Sequence, residues 1–126
     1  MQEINKKLLV VEDMEEAREL IEFYFERKGY TVFTACCAEE ALPIIKEQCP
    51  DVMLLDVILP SMSGIDLLRM VRQFNTTLKV IMVSSALIDI EEDMELKQLN
   101  FMEFISKPVS FDGLESSVRR ACAAVN

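Results

Sequence analysis

The stretch Val52-Met53-Leu54-Leu55-Asp56-Val57-Ile58-Leu59-Pro60-Ser61-Met62-Ser63-Gly64 sets the reading of the whole chain. A short apolar run, Val52 to Leu55, ends on an acid, and a loop from Asp56 to Gly64 follows. Apolar runs this short, bounded by turn residues, read as strands. Beyond the loop, Ile65, Leu68, Val71 and Arg72 begin and pattern a helix.

The same strand–loop–helix unit recurs on both sides. Upstream, Leu8 to Val11 is a continuous apolar run, as expected of a strand covered on both faces. The helix after it places Ala17, Leu20, Ile21 and Tyr24 on one face and stops at Lys28-Gly29. Thr31 to Ala35 reads as the second strand. About Glu39 to Gln48 reads as the second helix, with Ala41, Leu42 and Ile45 inward. Pro43 lies past the first helical position there, so it should cost a backbone bond or bend the first turn. Downstream, Val80 to Val83 is the fourth strand and roughly Ile90 to Leu99 the fourth helix, with Glu91-Glu92-Asp93 suiting its positive end. Phe101 to Ile105 is the fifth strand. Ser110 can cap the last helix, in which Leu114, Val118, Ala121 and Cys122 line one face. Five strands alternating with five helices imply an α/β, doubly wound parallel sheet with right-handed crossovers. Such a sheet places its site at the carboxyl ends of its strands.

Composition narrows the function. The 126 residues make about one domain, taken as residues 1–126, and 51 % hydrophobic residues suffice for a core. The net charge of −9, from 22 acids against 13 bases, argues against direct binding of nucleic acid or an anionic membrane. There is no histidine, which excludes a Ser-His-Asp triad and His-bearing zinc sites. No apolar run reaches the length of a membrane span. The polar start, Met1 to Lys7, precedes too short an apolar run for a signal peptide. Of the four cysteines, Cys36 and Cys37 are adjacent while Cys49 and Cys122 stand alone, with no CxxC. Reduced thiols and a cytoplasmic location are therefore expected. The eight methionines read as adaptable core packing.

Chemistry gathers at the strand ends. Leu8 to Val11 ends in Glu12-Asp13, Val52 to Leu55 in Asp56, Val80 to Val83 in Ser84-Ser85, and the fifth strand in Ser106-Lys107-Pro108. Taken singly, an acid after a strand is often a helix cap, a serine is turn chemistry and a lysine is a solvated charge. In parallel strands, however, three carboxylates, a hydroxyl and an ammonium meet at one edge. Clustered carboxylates repel and need a cation to offset them. Oxygen ligands of this kind suit Mg²⁺. A carboxylate can also attack phosphorus, and Mg²⁺, an ammonium and a hydroxyl are the groups that stabilise a transferred phosphoryl.

With these residues in place, the sequence closely resembles the receiver domains of two-component response regulators. The matching segments are Leu9-Val10-Val11-Glu12-Asp13, Leu54 to Gly64, Val80 to Ser85, and Ser106-Lys107-Pro108. The resemblance spans essentially the whole chain and implies the flavodoxin-like (βα)5 fold with strand order 2-1-3-4-5. It also implies a phosphorylatable switch rather than an enzyme acting on a metabolite, one that catalyses only its own phosphorylation and dephosphorylation. Asp56 would accept a phosphoryl group from a sensor histidine kinase or histidine phosphotransfer protein. Asp13 and Asp56 would hold Mg²⁺ with the carbonyl of Ile58, and Glu12 would act through water. Lys107 would pair with Asp56 and then with the phosphoryl. Ser84 would bond a phosphoryl oxygen, and Phe104 would follow it as the aromatic switch. A cis Lys107-Pro108 bond is implied as well. The surface of the fourth helix, fifth strand and fifth helix would change on phosphorylation.

The sequence departs from the family pattern at a few positions. Ser84-Ser85 stands where Thr-Ala is common, so either hydroxyl could serve, with Ser84 preferred as the residue directly after the apolar run. Phe104 reads equally as a core aromatic. Ser63 replaces a frequent Asp, and Asn100-Phe101 a frequent Gly-Ala, where Asn can adopt the left-handed conformation. Ile58 and Ala86 correspond to positions flanking the path of hydrolytic water. Both are apolar here, which implies slow loss of the phosphoryl group. Three other readings compete. A docking-only pseudo-receiver sits poorly with an intact Glu12, Asp13, Asp56, Ser84 and Lys107. An Asp-nucleophile phosphatase of the haloacid-dehalogenase type would need a second Asp where Ile58 stands, and flavin binding would place a phosphate against Glu12 to Glu16. The output domain or target stays open, as does a phosphorylation-linked homodimer.

Overall fold

The computed structural model describes residues 5–85 and 94–124. The elements in chain order are β1 (Lys7–Val11), α1 (Glu15–Arg27), β2 (Thr31–Ala35), α2 (Ala38–Gln48), β3 (Val52–Asp56), α3 (Gly64–Arg72), β4 (Lys79–Ser84), α4 (Met94–Gln98), β5 (Glu103–Ser106) and α5 (Phe111–Ala123). The strands form one parallel sheet in the order β2-β1-β3-β4-β5, as the resemblance implies. The part of the fourth helix expected over 90–93, and Ala86, lie outside the described residues.

Strand side chains alternate between faces, and each face carries its own core. Leu8 and Val10 of β1, Val52 and Leu54 of β3, and Ile81 and Val83 of β4 pack with Phe25 of α1 and Leu114, Val118 and Ala121 of α5. Leu9, Val11, Met53, Leu55, Val80 and Met82 face the other way, against α2, α3 and Leu96 of α4. The three central strands are buried on both sides, which explains why they read as unbroken apolar runs.

Several local expectations hold. The Ser110 hydroxyl accepts the Gly113 N–H and caps α5; the Ser63 hydroxyl accepts the Asp66 N–H and caps α3, a cap that was not expected. Gly29 and Asn100 take positive φ after α1 and α4, 103° and 57°. The Lys107-Pro108 bond is cis.

Two expectations need correction. Leu20 is 56 % exposed, and Phe25 is the fully buried anchor of α1. Phe25 meets the Tyr24 and Tyr30 rings edge-on, each with centroids 5.3 Å apart. The stripe of α1 is broader than the core it covers, so its Leu20 edge stays in solvent. β5 begins at Glu103, two residues later than its apolar run, although the Met102 N–H already donates to the Val80 carbonyl of β4. Pro43 sits within α2 as expected, past its first position, where it lacks an N–H to donate, and its side chain is exposed.

Gly64 positions the functional loop. Its N–H donates to the Val57 carbonyl at 2.7 Å, folding the loop after β3 back onto the strand end. A Cβ here would fall on the Asp56 carbonyl oxygen and come within 3.0 Å of Val57 Cα. All these atoms are backbone, so no side chain can turn aside. Gly64→Ala is expected to destabilise the protein by about 3 kcal/mol, the upper end of the cost of overpacking, as read by thermal denaturation. A neutral result would mean that the loop can shift without strain.

Candidate functional site

The register of the sheet assembles the site. Glu12 lies two residues after Val10, Asp56 two after Leu54, and Lys107 two after Ile105. Val10, Leu54 and Ile105 all belong to the α1/α5 face. The period of two therefore carries the two acids and the lysine past the strand ends on that same face. β1, β3, β4 and β5 are successive neighbours in the sheet, so residues 12, 56 and 107 converge.

Lys107 Nζ donates to Glu12 Oε1 at 2.9 Å and to Asp56 Oδ2 at 3.0 Å. The two carboxylates are nearly buried, Glu12 4 % and Asp56 7 % exposed. Their other oxygens are also engaged. Glu12 Oε2 accepts the Met14 N–H at 3.1 Å and Asp56 Oδ1 accepts the Ile58 N–H at 3.0 Å. Asp13 is exposed and stands beside them, with one carboxylate oxygen from each of the three acids within 4.8 Å of the others.

Burial pushes the Glu12 carboxyl upward, but bonds from Lys107 and the Met14 N–H, with the ammonium's charge, bring it below its ordinary value. Burial dominates at Asp56 and, with the Glu12 charge, holds its carboxyl above the ordinary value despite Lys107 and the Ile58 N–H. Burial lowers Lys107, yet its bonds to Glu12 and Asp56 and their charges carry it above its ordinary value. One ammonium thus faces two buried carboxylates and a third, exposed one. The surplus of negative charge and the all-oxygen donor set fit a hard divalent cation such as Mg²⁺. Glu12, Asp13 and Asp56 together are the carboxylates that could hold it; Glu12 and Asp56 each already accept the Lys107 ammonium and one backbone N–H, while Asp13 is exposed.

The remaining expected residues fall as follows. Ile58 meets the site through its N–H, and its side chain is 55 % exposed. Ser84 ends β4 fully buried, on the strand face of Val80 and Met82, and its carbonyl accepts the Lys107 N–H at 2.9 Å. Phe104 pairs with Met82 and packs on that same core, so Ser84 and Phe104 share a face on adjacent strands. Ser85 is exposed and lines a cavity of about 500 Å³ together with Asp56 and Lys107.

Two contributors are invisible in a motif reading. The Lys107–Glu12 pair joins residues 95 positions apart, which no local spacing announces. Arg18 Nη1 donates to the Glu12 carbonyl at 2.9 Å and more weakly to the Asp13 carbonyl at 3.4 Å, bracing the loop that bears both acids. Its signal was present as a lone base in the first turns of an acidic helix.

Comparison with known proteins agrees with this architecture. A family model described as "Response regulator receiver domain" matches residues 8–119. Sporulation initiation phosphotransferase F of Bacillus subtilis is 30 % identical over 117 residues, 93 % of this chain and 94 % of that protein. The alkaline phosphatase synthesis transcriptional regulatory protein PhoP of the same organism is 35 % identical over 85 % of this chain, which spans only 44 % of that longer protein. Among solved structures, the receiver domain of the Francisella response regulator 1452 superposes with a TM-score of 0.84 at 30 % identity, covering 94 % of this chain and 97 % of that one.

Proposed function

The chain belongs to the receiver-domain family of response regulators, and from that premise we propose that it is a phosphorylatable switch whose acceptor is Asp56. The observation that carries this reading is the bridge from Lys107 to both Asp56 and Glu12 beside Asp13. An Asp56 carboxylate oxygen attacks the phosphorus of a donor's phosphohistidine. A P–O bond forms as the P–N bond breaks, and the donor imidazole keeps the electron pair. Lys107 turns from the carboxylate toward the phosphoryl oxygens, and the Ile58 N–H holds the acceptor in place. Asp13, Asp56 and the Ile58 carbonyl would hold Mg²⁺, with Glu12 acting through water. When bound, Mg²⁺ supplies neutralising charge to the phosphoryl oxygens. Ser84 is the switch hydroxyl and Phe104 its aromatic follower, a pairing supported by their shared face. The change is read at α4, β5 and α5. The domain catalyses only its own phosphorylation and dephosphorylation, in the cytoplasm.

Incubation with acetyl phosphate and Mg²⁺ is expected to add one phosphoryl group by intact mass, and Asp56→Asn to abolish it. Lys107→Ala is expected to slow the gain by at least about tenfold, since removing a donor to developing charge costs that much or more. No gain from acetyl phosphate or from any phosphohistidine donor, in folded protein, would instead establish docking without phosphorylation.

The phosphodonor has an apolar approach. Met14, Leu20 and Phe111 are exposed around the cavity that opens onto Asp56 and Lys107. A phosphohistidine must enter there, so a helical donor protein rests on this rim. Leu20→Asp is expected to slow transfer from the donor protein by about tenfold, roughly the loss of one buried leucine contact, while leaving the acetyl phosphate rate unchanged. Equal slowing of both reactions would mean damage to the site itself.

The apolar Ile58 side chain cannot orient a water against the phosphoryl group. Ile58→Asn is expected to hasten loss of the phosphoryl group by roughly an order of magnitude, less than a fully placed general base would give. An unchanged decay of the phosphorylated mass would remove Ile58 from the control of lifetime.

A further inference from the structure

A second cluster of ligating groups lies at the turn between β2 and α2 and shares no residue with the cluster of Glu12, Asp13 and Asp56. Cys36 and Cys37 occupy this turn and Glu40 the first turn of α2. The two Sγ atoms and a Glu40 carboxylate oxygen lie within 4.8 Å of one another. From this convergence we propose that Cys36, Cys37 and Glu40 form a site for a thiophilic divalent cation of the zinc–cadmium type.

Three further features support it. Glu40 is fixed in place, because its Oε1 accepts the Cys36 N–H at 2.9 Å. Cys37 is the N-cap residue of α2, yet its side chain makes no capping bond to the helix. A serine, aspartate or asparagine would be the effective choice if capping were the purpose, and cysteine gives that stabilisation up. Both thiols are partly exposed and free, so an ion can reach them.

The chemistry separates this cluster from the first. Glu12, Asp13 and Asp56 offer hard oxygens only, suited to Mg²⁺. Two thiolates and a carboxylate suit a softer ion, with water in the fourth tetrahedral position. In such a site, with metal–sulfur distances of about 2.3 Å, the ligating atoms stand about 3.4–3.8 Å apart. Binding one M²⁺ forms two M–S bonds and releases two thiol protons to solvent. The Cys36 thiol is pushed up to about 11, first by its hydrogen bond to Glu40 and then by burial. Glu40 is held below its ordinary value, chiefly by the Cys36 N–H, and is ready as an anion.

The test is titration of the full chain with Cd²⁺ in excess Mg²⁺, which occupies the carboxylate site, followed by the ultraviolet thiolate-to-cadmium charge-transfer band. One Cd²⁺ per chain is expected, with proton release. Cys36→Ser and Cys37→Ser should each weaken binding at least tenfold, and Glu40→Gln severalfold. Cys49→Ser and Cys122→Ser should leave it unchanged. Cys37→Ser installs a better N-cap, so its melting temperature should hold or rise, and a lost band then cannot reflect unfolding. No band at equimolar Cd²⁺, or a band that survives both substitutions in the pair, would overturn the proposal.

Discussion

One ammonium between two buried carboxylates is the interaction on which the working edge of this protein depends. Lys107 comes from the loop after β5, Glu12 from the end of β1 and Asp56 from the end of β3. Burying two acids this close is unfavourable unless a cation lies between them. The same contact ties the fifth strand's loop to the first and third strands across the sheet edge. It also leaves Asp56 poised. Its carboxylate is desolvated and held by one N–H and one ammonium, and the ammonium is on a flexible stem that can follow a new charge.

The sheet register makes that contact reproducible. Each functional residue is the second beyond a core residue of known facing: Val10 before Glu12, Leu54 before Asp56, Ile105 before Lys107. A slip of one residue in any strand would send its side chain to the opposite face. The two cores therefore hold the site as much as they hold the fold. The α1/α5 core aims the acids and the lysine, and the α2/α3 core carries Ser84 and Phe104. Under the proposed function, this division would separate the acceptor and its charged neighbours from the pair that relays its phosphorylation.

The loop geometry around the site rests on backbone contacts more than on side chains. Gly64 packs against the Asp56 carbonyl, the Ile58 N–H reaches back to Asp56, and the Glu12 N–H donates to the Ala35 carbonyl at 3.0 Å. The last of these links the phosphoacceptor edge to the turn that carries Cys36 and Cys37. Arg18 lies between the two, donating to the carbonyls of Glu12 and Asp13 while its charge also lowers Glu40.

The alternation of apolar runs with amphipathic stretches was enough to read five strands and five helices. The polar residues that end those runs, Glu12, Asp13, Asp56, Ser84 and Lys107, were legible because a strand's end is a local event. The helix cap at Ser110 and the left-handed Asn100 were local too. What the sequence could not show was which faces met. Leu20 and Phe25 are both apolar residues of α1, yet only Phe25 is buried, because the width of the covered stripe is set by α5 and the sheet. Nor could it show that Lys107 binds Glu12 as well as Asp56, or that Ser84 and Ser85 part to opposite sides. Periodicity within a segment is a property of the chain alone. Distances between segments follow from sheet order and register, which only the packed structure sets.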